Sequence, residues 1–282
     1  LSTEQKLTYE KMVGHRNSLV IDGSGGLISV PLQFWFCRNA GLALPRKALE
    51  KTEVKLTLTF EKATKMARSK NVSSGMAAGT LAGALTNPKL YADFIYLDND
   101  ESRRFLVSRH EYLIEQVQVA PTIDGQSINS TGTTTVKLNF NHSVKEIIWI
   151  TKNDDLTSTV DSTGINDHFN YSRGMGSDSS GNEYAVLKFH TTGENIVGNL
   201  TYNDDPMTEA TIKFNGEDRL SAGNRNAQYY NLVQPYYHHT GHPSPGVYVY
   251  SFALRPEEYQ PSGIVNMSRI DDQKITMSFN AA

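Results

Sequence analysis

The chain has 282 residues, 38% hydrophobic and 20% charged, with 21 Gly and 10 Pro, which suffices for one large or two ordinary globular domains with a sizeable core. A net charge of −3 and the lack of any Lys/Arg tract exclude a nucleic-acid-wrapping arm. The single cysteine, Cys37, excludes an intrachain disulfide framework and a multi-cysteine zinc site, and no run of about eighteen apolar residues offers a transmembrane helix.

Helix signals are few. "STEQKLTYEKMVG" puts Ser2 and Gln5 at capping-box spacing and Gly14 at a stop, so a short helix opens the chain. No initiator methionine precedes Leu1, which points to a processed or partial chain. "DGSGGL" (Asp22 to Leu27) is Gly-rich, yet it joins two strand patterns and opens no helix; it reads as a turn and not a phosphate cradle. "LISVPLQFWFC" reads as a strand, with Pro31 marking an edge or bulge and Cys37 a small buried hydrophobe. In "TEVKLTLTF", Val54, Leu56, Leu58 and Phe60 alternate with Lys55, Thr57 and Thr59, the period of a sheet with one wet face. "ADFIYL" is a further strand. "YLDNDESRRFL" then predicts a second short helix, with Asp98 or Asn99 as cap and acids in its first turn.

"HEYLIEQ" begins like a zincin helix, but no histidine follows four residues after His110, and the segment alternates like a strand. Beyond it come "TTVKLNF" with Val136, Leu138 and Phe140 inward, "VKEIIWI", "YAVLKFH", "ATIKF" with Ile212 and Phe214 inward, "GVYVYSFAL" and "KITMSFN". "FNGED" carries Asn-Gly, the strongest short hairpin signal. Two stretches, 63–88 and 151–183, are rich in Gly, Ser, Asn and Asp and lack periodicity; they read as long loops between fixed strands. Many strands, few helices and two excursions predict a β-sandwich or jelly roll, or two in series, joined near His110 to Gln118.

Catalytic chemistry is poorly represented. "YYHHTGHPSPG" gathers His238, His239 and His242. A metal site needs three or more donors aimed at one point, whereas adjacent residues of a strand face opposite sides. The chain has no His-x-His pair, so a cupin-like metalloenzyme is disfavoured. The adjacent acids Glu257-Glu258 and Asp271-Asp272 point apart, unlike a glycosidase pair, and no GxSxG elbow is present. Tyr229, Tyr230, Tyr236 and Tyr237 cluster ahead of the histidines, as a sugar platform or, more in keeping with Tyr-rich turns, as contact surface. Asn-x-Ser/Thr sequons begin at Asn71, Asn129, Asn141, Asn170, Asn199 and Asn266. Asn71, Asn129 and Asn170 fall in expected loops and are the candidate glycan acceptors; Asn266 sits in an expected strand.

One passage is more specific. In "YYNLVQPYYHHTGHPSPGVYVYSFALRPEEYQPSGIVNMSRID" (Tyr229 to Asp271), the segments "NLVQPY", "VYSFAL", "QPSG" and "SRID" occur in the order seen in major capsid proteins of nucleocytoplasmic large DNA viruses, the phycodnavirus, iridovirus and mimivirus-like group. "FWFCRNAGLALPRKAL", "EVKLTLTF", "DFIYLDNDESRRF", "HEYLIEQVQ", "LNFNHSVKEIIW" and "IKFNGEDRL" are also in register, so the chain resembles that family along nearly its whole length outside the two loops. The signature has a physical reading. "GVYVYSFAL" is a long core strand, Pro256 ends it, Gln260-Pro261-Ser262-Gly263 fits a type I turn, and the histidine stretch is a rigid polar corner of turn and surface residues.

The resemblance implies an all-β tandem double jelly roll, two eight-stranded sandwich barrels with few short helices. Residues 1–112 would be the later part of the first barrel and 113–282 the second barrel without its last strands, since family members carry further strands at both ends. It implies a structural protein and no enzyme, without cofactor, catalytic residue or metal ligand. Three chains would form a trimeric, pseudo-hexameric capsomer of an icosahedral shell. Neighbouring capsomers, minor capsid proteins and penton proteins would be its partners. It would touch no nucleic acid directly, and an inner viral membrane only through other proteins. Its place would be the virion, after assembly in the host cytoplasm. The alternative from the residues alone is a carbohydrate-binding or carbohydrate-active β-sandwich.

Overall fold

The structure is a computed structural model that describes residues 3–13, 28–49, 51–60, 88–120, 132–151, 171, 175–177, 183–185, 205–220, 226–243 and 246–279. Helix α1 spans Thr3–Met12, α2 Trp35–Arg38 and α3 Asn99–Val107; a 3-10 turn covers Ala40–Leu42. The two longer helices stand where the capping signals put them, and Asp98 is the N-cap residue of α3. No helix among the described residues is long and apolar enough to cross a membrane.

The strands of the described residues all lie from Thr133 onward: β1 Thr133–Lys137, β2 Ser143–Val144, β3 Glu146–Ile150, β4 Met175–Ser177, β5 Glu183–Ala185, β6 Met207–Phe214, β7 Glu217–Asp218, β8 Val247–Ser251, β9 Val265–Asn266 and β10 Gln273–Phe279. An antiparallel sheet runs in the order β1-β10-β6-β7, and β3 pairs β8 and β2 pairs β9 in two smaller ladders. Strand β10 is central. Its Ile275 lies between Val136 on one side and Ile212 on the other, so three β-branched side chains form a row across the sheet.

The two sets of strands share one core. Leu138, Met207, Ala210, Ile212 and Ile275 from the larger sheet cluster with Ile147, Tyr248 and Tyr250 from the β3–β8 pair and with Tyr230 and Met267. Each of the buried Leu, Ile and Met side chains contributes about 1.5–3 kcal/mol by leaving water. On its outer face, β1 presents Thr133 and Thr135, whose hydroxyls lie 3.4 Å and 3.0 Å from those of Ser278 and Thr276 on β10. Alternation of apolar and polar residues is thus converted into an inner and an outer face.

The Asn-Gly signal is realised. Asn215 (φ 53°) and Gly216 (φ 87°) form a two-residue turn that pairs Phe214 with Glu217 and joins β6 to β7. Gln273, only 4% exposed, satisfies its burial: Nε2 donates to the carbonyls of Phe140, Met267 and Ile270, and Oε1 accepts from the Phe140 amide.

Several expectations need correction. "FWFC" is helical as α2 and Cys37 is exposed, because four residues between Phe34 and Asn39 curl without a strand partner. Residues 28–34, 52–60, 88–98 and 109–120 form no ladder, and Val54, Leu56, Leu58 and Phe60 are all exposed. Alternation prepares a strand, but a ladder needs a neighbouring backbone about 4.8 Å away, and none of the described segments supplies it. The second expected loop holds a short hairpin, Met175 pairing with Ala185 across β4 and β5. The expected turn at Asp22 to Leu27 and most of the two long loops lie outside the described residues.

Candidate functional site

The described residues of 226–270, which carry the densest sequence pattern, form a helical corner packed against β8 and then continue to β9. Residues Tyr229–Val233 form a turn of π-helix and Gln234–His238 a turn of α-helix, here α4. Pro235 explains the widening: in α geometry its ring would collide with the carbonyl four residues back, and it has no N–H to offer. The Gln234 amide instead reaches the Tyr229 carbonyl five residues earlier. The polar turn expected at the histidines is therefore a helix end.

Three side chains fasten this corner. Tyr230 is fully buried, donates its hydroxyl to the Ala210 carbonyl at 2.7 Å, and meets Trp149 edge-on with ring centroids 5.0 Å apart. Gln234 donates from Nε2 to the Tyr229 hydroxyl at 2.8 Å, while its Oε1 accepts from the Ser251 amide at 3.0 Å, tying the helix to β8. Asn231 donates to the Val247 carbonyl at the other end of β8. At that end the Asp205 carboxylate accepts from the Gly246 amide and from the Tyr248 hydroxyl. Burial holds the Tyr248 phenol well above its ordinary pKa, and the Asp205 charge adds to the effect. It stays a neutral donor.

The histidines do not converge. His238 Nδ1 lies 3.0 Å from the Leu254 carbonyl, His242 Nδ1 is 3.1 Å from the Pro243 carbonyl, and His239 Nε2 is 2.8 Å from Glu146 Oε2 on β3. His239 is mostly buried, with Nδ1 unpartnered, so it is a docked residue and not the surface one expected. Among the described residues no three His, Cys, Asp or Glu side chains gather as a metal site. Glu257 has turned to the Thr240 amide and Glu258 to Arg255, so these adjacent acids have separate partners.

Beside the corner runs an open groove lined by Leu232, Val233, Tyr236, Tyr237, Gly241 and His242. Tyr236 and Tyr237 are 81% and 71% exposed and meet edge-on at 5.2 Å. Of the four clustered tyrosines, two are therefore core or half-buried and two face outward. The expected turn at Gln260 to Gly263 closes differently. Ser262 Oγ accepts from the Arg255 amide at 2.8 Å and donates to the Arg255 carbonyl, replacing a backbone turn bond.

A family described as the large eukaryotic DNA virus major capsid protein matches residues 101–282, and one described as the major capsid protein N-terminus matches residues 1–98. The chain belongs to the major capsid proteins of large eukaryotic DNA viruses. It is 32% identical to the major capsid protein of Phaeocystis pouchetii virus over all of this chain and 69% of that protein. It is 36% identical to that of Pyramimonas orientalis virus over 88% of this chain and 53% of the relative. For Paramecium bursaria Chlorella virus 1 the identity is 33% over 98% of this chain and 60% of the relative. The crystal structure of VP54 from that Chlorella virus, fitted into a reconstruction of the virophage Sputnik, superposes with a TM-score of 0.62 at 27% identity, over 98% of this chain and 63% of that one.

The chain thus spans between about half and two thirds of the length of these capsid proteins. Its fold class is the double jelly roll of the VP54 capsid structure, mostly strands with few short helices. These relatives are structural shell proteins and not enzymes. The candidate glycan acceptors Asn71, Asn129 and Asn170 lie outside the described residues. Asn266, the poorest acceptor by sequence, sits on β9 with its amide oxygen accepting from the Ser268 amide. Sequence reasoning missed Gln234, Asp205 and Gln273 as fastening groups. Gln234 alone stood out, as a polar residue inside an apolar run, and that signal names no partner; Asp205 and Gln273 follow other polar residues and carried no signal.

Proposed function

We propose that this chain serves as the shell-building part of a major capsid protein, and that three copies form a pseudo-hexameric capsomer of an icosahedral virion. The family match along residues 1–98 and 101–282 carries the reading. Two similar barrels per chain, divided near residue 112 into 1–112 and 113–282, would give a trimer six similar corners. Its closure is that of a symmetric ring. Neighbouring capsomers and minor capsid and penton proteins are the partners in this reading, the inner membrane is reached only through them, and assembly takes place in the host cytoplasm. No metal or cofactor takes part. Asn71, Asn129 and Asn170 are proposed as surface glycan acceptors.

The test is the solution mass of the full-length protein by light scattering, with metal content and intact polypeptide mass read from the same peak. A metal-free trimer is expected, with added mass at the three asparagines when the protein is taken from virions. A monomer carrying one transition metal per chain would overturn the capsomer reading. An intact mass equal to the bare polypeptide would remove the glycans alone.

A further inference from the structure

Residues 109–120 bridge α3 to the second sandwich, yet among the described residues no backbone-to-backbone hydrogen bond joins this segment to that sandwich. Its attachments are made by side chains. The Gln118 carboxamide imitates a strand: Nε2 donates to the Asn141 carbonyl at 2.6 Å and Oε1 accepts from the Asn141 amide at 2.9 Å. Tyr259 donates its hydroxyl to the Leu113 carbonyl at 2.8 Å. Glu115 pairs on one side with Lys145, between β2 and β3, and on the other with Arg38 at the end of α2, 3.0 Å away. Tyr112 lies against Trp35 of the same helix, ring centroids 6.2 Å apart.

We propose that residues 109–120 form a strap clasped by these side chains, and that Glu115 is the positioning residue that locks the first part of the chain onto the second sandwich. One carboxylate stands between two cations from different parts of the molecule. Lys145 is only 17% exposed at its side chain and has one other acceptor, the Glu258 carbonyl. Removing the carboxylate's charge would leave a largely buried ammonium under-paired and set two like charges facing each other. The effect is therefore not a lost contact alone; attraction turns into repulsion. The ladder-free strap cannot compensate, because its remaining ties are neutral and few. A clasp of this kind permits adjustment of the angle between the parts, where a continuous sheet would not.

The exposed native Cys37, beside Arg38, offers a label on one side of the clasp, and Glu217→Cys in the β6–β7 hairpin offers one on the other. The full chain, doubly spin-labelled and diluted with unlabelled chain so that distances within one molecule are read, gives the distance distribution by pulsed electron resonance. Expected are a narrow distribution at low salt and a roughly doubled width on raising ionic strength from about 0.05 M to about 0.5 M, because the Arg38 side of the clasp is half exposed and screened. Glu115→Gln should be broad at both salts, and Lys145→Met, which frees the strap from the sandwich but leaves Glu115 paired with Arg38, should be broader than the parent at low salt, while the unfolding transition of the sandwich stays in place in both. If Glu115→Gln fails to fold, Lys145→Met carries the test. A folded variant with a distribution as narrow at low salt as that of the parent chain, or a parent distribution that does not broaden with salt, would overturn the proposal.

Discussion

The described residues of 132–279 and those of 28–120 carry the same kind of sequence, and their fates differ. In β1, β6 and β10 the alternating apolar residues Val136, Ile212 and Ile275 align across three strands and leave water. In 52–60 the equally regular Val54, Leu56, Leu58 and Phe60 remain between 40% and 59% exposed, and no ladder forms among the described residues. The difference teaches that period-two alternation specifies which face would be buried, whereas a strand exists only when another backbone comes alongside. What binds 109–120 to the rest is correspondingly a set of side-chain ties.

The comparison is sharpened most by cutting the core. Tyr230→Ala removes a fully buried ring, its hydrogen bond to Ala210 and its contact with Trp149, and should cost about 3–5 kcal/mol in urea unfolding followed by Trp149 emission. A loss below about 1 kcal/mol would mean that the corner does not share the sandwich core. Next comes Gly263→Ala. Gly263 has φ 155°, and an added Cβ would sit 2.7 Å from the Phe252 carbonyl oxygen, so a loss of about 1–3 kcal/mol is expected. The control is Gly216→Ala, where φ is 87° but nothing lies within 4 Å; only the left-handed penalty applies there, about 1 kcal/mol. The smallest effect belongs to the other region. Leu58→Ala, at a half-exposed position without a ladder, should shift the same unfolding curve by less than about 0.5 kcal/mol. A large loss there would show that 52–60 is buried against a partner in solution and that the two regions differ less than they do in this structure.

Legibility followed the range of the interaction. Local rules placed α1, α3 and the Asn215-Gly216 hairpin, because capping and left-handed turn residues act within a few positions. Alternation identified the inward residues of β1 and β6. Failures came where a distant group decides. Cys37 looked like core in an apolar run but is exposed on α2. The histidine stretch looked like a turn but ends a helix, since Pro235 is accommodated by a π turn. Nothing local announces that His239 will dock on Glu146, ninety-three residues earlier.

The sequence by itself determined the all-β class, the family through its ordered motifs, and the buried faces of β1 and β6, because these depend on residue order and period. Only the tertiary structure decided which alternating segments become strands, which of four tyrosines enter the core, and that Glu115 stands between Arg38 and Lys145. Those outcomes depend on which groups far apart in the chain meet in space, and such pairings are set by the energy of the folded whole and by no pattern within a single segment.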